Sequence, residues 1–178
     1  MTTTEVFLEL LKYILPAGLV LAGVLLVMRE NTRKIEAKEK YGILKKTFSE
    51  VVPLRLQAYE RAILFLERIA PENLLIRVDA RGKESRVFHQ QLIQEIRAEF
   101  EHNLAQQLYI KDDSWRSLVV AKEQVISLIN AAGRALPPNA PGVDLGRTIL
   151  NKMVEAEKQP TQKAIRDLKE DVQGMFRF

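Results

Sequence analysis

Apolar positions along the chain follow two regimes. From Tyr13 to Met28, sixteen consecutive residues, YILPAGLVLAGVLLVM, carry no charge. Their apolar side chains would cover every face of a helix rather than one stripe. Beyond Arg29, apolar residues recur at intervals of three and four, and prolines and Asp/Asn clusters divide the chain into windows. That spacing predicts amphipathic helices throughout. Sustained period-two alternation with hairpin turns is absent from the sequence, so the predicted fold class is all-α.

The first regime reads as a membrane anchor. With VFLELLK in front, the run extends over 6–28 and contains only Glu9 and Lys12 as charges. As a helix it would be roughly 34 Å long, enough for a hydrocarbon core of about 30 Å. Nine of the sixteen uncharged residues are Leu, Ile or Val, together worth roughly −3 to −5 kcal/mol of insertion. A cleavable signal peptide fits less well, because MTTTEVF supplies no basic n-region. Arg29, Arg33, Lys34, Lys38, Lys40, Lys45 and Lys46 follow the run, and no base precedes Lys12. The positive-inside rule then places the N-terminus outside and the body, residues 29–178, in the cytoplasm.

Six windows are expected after the anchor. A charged stalk helix covers 29–50, with Ala37, Tyr41, Leu44, Phe48 and Val51 in a short 4-3-4-3 seam. That seam is either the one wet face of a solvated stalk or a pairing surface for a second copy or a partner helix, with Leu44 and Phe48 at its centre. The second window, 51–70, should start or kink at Pro53. Its stripe is Val52, Leu56, Tyr59, Ile63 and Leu66. Arg55 projects into that stripe and needs a partner, so an ion pair with Glu99 or Glu101 is expected. A loop at 71–85, whose apolar piece Leu74, Leu75, Ile76 and Val78 either tucks onto the core or forms a short irregular strand, leads to a third helix at 86–109. A fourth, at 114–136, is preceded by the turn Lys111-Asp112-Asp113-Ser114, which holds its capping residue. Helix five begins at Asp144 and helix six at Pro160. The predicted organisation is an anchor at 1–28, a stalk at 29–50, a helical bundle at 51–136 and a C-terminal helical pair at 137–178.

Composition narrows the chemistry. The 178 residues are 47% hydrophobic and 28% charged, with a net charge of +4, which suits a packed core and excludes wholesale disorder. The absence of cysteine excludes disulfides, thiolate metal sites and cysteine nucleophiles. His89 and His102 are the two histidines. Glu99-x-x-His102 matches half of a helix-bundle di-metal motif, but no second such pair exists, so no metal is expected. Phosphate-binding glycine loops and nucleophile elbows are also missing. Neither a cofactor nor a small-molecule substrate is implied, and basic-aromatic interleaving for nucleic acid is absent.

The stretches PLRLQAYERAILFLERIAPENLLIR (53–77) and EFEHNLAQQLYI (99–110) resemble the signature segments of a small uncharacterised family of membrane-anchored proteins of Bacteroidota. The resemblance implies a single-pass inner-membrane protein with a cytoplasmic helical part, and no catalytic residue or cofactor. A looser architectural similarity is to the peripheral-stalk b subunit of ATP synthases, from which the prolines of the body depart.

The expected role is a non-enzymatic adaptor or assembly subunit holding a protein partner near the bilayer. Its lipid contact runs through residues 6–28. The candidate partner surfaces are the C-terminal helix and the surface of the third helix, especially Glu99, His102 and Gln106; the polar face of that third helix carries Gln91, Glu95, Ala98, His102 and Gln106. The alternatives are a homo-oligomeric membrane protein using the 37–51 seam, and a membrane-bound enzyme with an unrecognised carboxylate site.

Overall fold

The computed structural model describes residues 3–155 and 159–176. Within them, the side chains of 3–17, 20, 22, 27, 31, 33–41, 43, 44 and 47 lie outside the description. The chain is all-α. Its helices are α1 (Thr3–Ile69), α2 (Pro71–Arg77), α3 (Ser85–Asn103), α4 (Asp112–Arg134), α5 (Gly142–Glu155) and α6 (Gln162–Met175). A 3-10 turn, Leu104–Leu108, joins α3 to α4. The chain divides into two units, 1–51 and 52–178.

The first unit is helix alone. Its described apolar side chains are largely solvent-facing: Leu19 and Leu26 are each 66% exposed, and Phe48 is 59% exposed. Among the described residues, no helix is long and apolar enough to cross a membrane. Much of the 6–28 run, and Leu44 of the seam, has side chains outside the described residues.

α1 runs through Pro53 instead of starting there. Proline lacks the N–H that would bond to the carbonyl of Ser49, a loss of about 3 kcal/mol in a helix interior. Its fixed φ is still helical, and the turns that follow are held by burial. Ala58, Tyr59, Ala62, Phe65, Leu66 and Ile69 are all buried, and each large side chain contributes about 1.5–3 kcal/mol. This buried line is displaced from the predicted one. Val52, Leu56 and Ile63 are only half-buried, because the two alanines permit close approach where bulkier residues would not.

The second unit closes around one core. α3, α4 and α5 pack on one another, α6 packs on α4, and α2 on α5. Phe88, Leu92 and Ile96 of α3 meet Leu118, Val125 and Ile129 of α4, with Leu145 and Ile149 of α5 and Ile165 and Leu168 of α6 completing the core. The C-terminal pair is thus part of the bundle. Phe100 joins Phe65 and Trp115 at ring centroid distances of 5.8 Å each. Lys122 Nζ caps the Phe100 ring at 4.2 Å, a cation–π contact worth about 0.5–2 kcal/mol.

The connections depart from expectation for identifiable reasons. The 71–85 segment begins with α2, not a loop or strand, because Pro71 sits in the first turn, where a missing N–H costs nothing. Leu74 is buried beneath it and Ile76 is 85% exposed. α3 ends at Asn103, short of the predicted 109, and Asn103 Nδ2 donates to the Glu99 carbonyl at 2.8 Å. Within the 111–114 turn it is Lys111 that occupies the N-cap position of α4, which starts at Asp112. α5 begins two residues before Asp144 at Gly142, whose N–H donates to Lys83 O at 2.8 Å. A Cβ there would lie 2.9 Å from Ala80 O, so only glycine seats this turn unaltered.

Candidate functional site

Two polar constellations stand out in the second unit. The first is built on α3. Gln91, Glu95 and Glu99 recur every four residues and so share a face. Each takes a base from elsewhere in the unit. Lys83 Nζ donates to Gln91 Oε1 at 2.6 Å, Arg77 to Glu95 at 3.0 Å, and Arg68 to Glu99 at 2.9 Å. Gln91 and Glu95 of the expected polar face, with Glu99 as a further interface candidate, thus tie α3 to the 78–84 connection, α2 and α1.

The remaining interface candidates are placed differently. His102 is exposed, and its Nδ1 donates to Ala98 O of its own helix at 2.8 Å. Gln106 lies in the 3-10 turn, off the face of α3, because the helix stops at Asn103. Glu101 is exposed and borders a groove between α3 and α4. That groove holds about 650 Å³ and is lined by His89, Gln90, Gln94, Arg97 and Asn130 among others. His89 Nε2 donates to Asn130 Oδ1 at 2.8 Å. Gly133 leaves room for the imidazole, since a Cβ there would come within 2.9 Å of His89 Cδ2.

The expected Arg55 ion pair is replaced. Arg55 Nε donates to the carbonyl of Tyr109 at 3.3 Å, while Glu99 is engaged by Arg68. The register of α1 explains the exchange. Arg68 lies almost four turns beyond Arg55 and falls beside α3, whereas Arg55 meets the segment after the 3-10 turn.

The second constellation surrounds Asp171 of α6 and was missed from the sequence. Lys111 Nζ donates to Asp171 Oδ1 at 2.6 Å. Ser114 Oγ and Tyr59 Oη both donate to Oδ2. The Tyr59 oxygen also accepts the Lys111 backbone N–H at 3.2 Å. One turn earlier on α6, Asp167 accepts from Ser117 Oγ at 2.5 Å and from Lys163 at 3.1 Å. α4 thus offers Ser114 and Ser117 to Asp171 and Asp167 of α6. A four-residue spacing of acids facing a Ser-x-x-Ser pair was the available signal.

Electrostatics fix what these carboxylates can do. Burial pushes the Asp171 carboxyl up, but hydrogen bonds from Lys111 and Ser114, with the Lys111 charge, outweigh it and hold it below the ordinary carboxylate range. Hydrogen bonding from Ser117 lowers Asp167 in the same way. Lys111 is raised, chiefly by its hydrogen bond to Asp171. A depressed carboxyl stays ionised at neutral pH and accepts hydrogen bonds; it is poorly matched to general-acid work. Among the described residues, no three His, Asp or Glu side chains converge to hold a metal ion.

Fold and site together define an all-α protein with one bundled unit and one single-helix unit. The chain belongs to DUF7935, a family of unknown function, which it matches over residues 5–175. No curated protein and no solved structure matches it.

Proposed function

We propose that this chain is a membrane-anchored, non-enzymatic adaptor or assembly subunit of a bacterial inner membrane. Residues 6–28 span the bilayer, the N-terminus faces outward, and the bundle holds a protein partner on the cytoplasmic side. The observation that carries the reading is uncovered apolar surface in the first unit. Leu19, Leu21, Leu25, Leu26 and Met28 are all at least half exposed, within a run of sixteen uncharged residues. Such a surface calls for lipid or another protein around it. The bases that follow favour the stated orientation, and the two stretches resembling membrane-anchored Bacteroidota proteins point the same way. The Gln91, Glu95 and Glu99 ladder keeps α3 rigidly seated while His102 and the α3–α4 groove stay open to a partner.

Two measurements test it. Because the chain has no cysteine of its own, Thr4→Cys and Ile76→Cys, the latter at a position 85% exposed, report topology with a membrane-impermeant maleimide. The expected outcome is a carbonate-resistant membrane protein labelled from outside at position 4, and at position 76 only after permeabilisation. Release by carbonate would refute the anchor, and labelling of position 76 in intact cells would refute the cytoplasmic placement of the bundle. Purification from detergent-solubilised membranes should yield a stoichiometric partner, and recovery of the chain by itself would count against the adaptor role.

A further inference from the structure

The 37–51 seam carries more information than its apolar residues alone. In the first unit, residues 3–51 are continuous helix, so a heptad register runs through the seam. Tyr41 and Phe48 take a positions, and Ala37, Leu44 and Val51 take d. The flanking g positions are then Arg33, Lys40 and Thr47, and the flanking e positions include Lys38 and Lys45. Every charged e or g residue between 33 and 47 is basic. The acids Glu36, Glu39 and Glu50 fall at c and f, away from the seam. Phe48 is 59% exposed and Val51 41% exposed, and Lys45 beside them is exposed as well.

This charge pattern decides between occupants. Two parallel copies would set Arg33 against Lys38 and Lys40 against Lys45. Two antiparallel copies would pair g with g and e with e, again base against base. Self-pairing is therefore opposed in both orientations. Anionic lipid matches the charge but not the position. At 1.5 Å per residue, the seam lies from about 14 to about 35 Å along the helix beyond Met28, whereas a surface potential decays over about 8 Å.

We infer that the 37–51 seam docks a partner helix that presents apolar residues at a and d and Glu or Asp at e and g. The inference rests on the anchored reading for its exclusion of lipid, and names the kind of partner that reading requires.

The test uses the full chain in phosphatidylcholine nanodiscs and two labelled helical probe peptides. Both probes carry Leu at a and d; one has Glu at e and g, the other Lys. Fluorescence anisotropy should show salt-sensitive binding of the Glu peptide and none of the Lys peptide. Combined K38E, K40E and K45E substitution, with helicity checked by circular dichroism, should weaken the Glu peptide by about tenfold or more and admit the Lys peptide. Phe48→Ser should weaken the Glu peptide while leaving its preference over the Lys peptide. Equal binding of both peptides, or binding of neither, overturns the proposal. So does disulfide crosslinking of Phe48→Cys between two copies. A blue shift of a polarity-sensitive dye at Phe48→Cys when phosphatidylserine is added would assign the seam to lipid instead. Incorporation into the nanodisc is scored separately. Its failure would remove the anchor, and the peptide preference would still be read with the chain in buffer.

Discussion

The two units use the same apolar residue types to opposite ends. In the second unit, Phe65, Phe88, Leu92 and Ile129 are at most 1% exposed and lie in one continuous core. In the first, Phe48, Leu25 and Leu26 are at least half exposed. A leucine contributes to folding only when its own chain removes it from water, at roughly 25 cal/mol per Å². The bundle therefore carries its stability within itself. The described apolar side chains of the single-helix unit contribute no such burial, since Leu19, Leu25, Leu26 and Phe48 are at least half exposed.

The sharpest test of this contrast is a matched pair of truncations. Phe65→Ala should cost about 3–5 kcal/mol, because it removes a ring that packs against Phe100 inside the core. Phe48→Ala should stay within about 0.5 kcal/mol. Urea unfolding followed by the Trp115 signal measures both. A large effect at Phe48 would show that the first unit shares the stability of the bundle.

Backbone approach is the next largest effect. Gly142→Ala places a Cβ 2.9 Å from Ala80 O and 3.1 Å from Lys83 O. Both neighbours are backbone and cannot swing aside, so a loss of about 1–3 kcal/mol is expected by thermal unfolding. Gly133→Ala meets only the His89 ring, which has rotamer freedom, and should cost less.

Legibility in the sequence followed the same division. Helical periodicity revealed the all-α class, because i, i+3 and i+4 spacing directly reports a helix with one dry face. α6 was readable down to Ile165 and Leu168. What stayed hidden was set by tertiary contact. Pro53 and Pro71 looked alike as breakers, yet one lies inside α1 and the other opens α2. The difference lies in what the following turn buries, and no local pattern encodes it. The Arg55 partner was misassigned for a related reason: crossing position between helices, not charge, selects Arg68 for Glu99. The sequence places Ser114 only in the turn that opens α4, whereas its hydroxyl serves Asp171 on a helix more than fifty residues away in sequence.

That last contact predicts a pH signature confined to the bundle. The folded carboxyl of Asp171 lies below its ordinary value, so its stabilisation is fully present above the unfolded value of about 3.9. It is lost as pH falls through the lower folded value. Asp171→Asn should cost about 1–2 kcal/mol at neutral pH. It should also flatten the fall in stability below about pH 4. Chemical denaturation across pH 2–7 distinguishes this from a general loss of packing, which would lower stability equally at every pH. Lys111 works in the other direction: its raised value means a contribution kept until alkaline pH and lost as pH rises through it.

The smallest expected effect concerns the α3 ladder. Arg68 is 49% exposed in its side chain and Glu99 20%, so solvent screens the pair, and a coupling of about 0–1 kcal/mol is expected. Arg68→Ala, Glu99→Ala and the double substitution, compared by urea unfolding, isolate that coupling from lost packing of the arginine stem. A value near zero would leave Glu99 energetically free to exchange Arg68 for another base, as the proposed partner role requires of it. A coupling well above 1 kcal/mol would fix Glu99 as structural. Under the proposed adaptor role, the α3–α4 groove bordered by Arg97 and Glu101 would then be the surface left open for a partner.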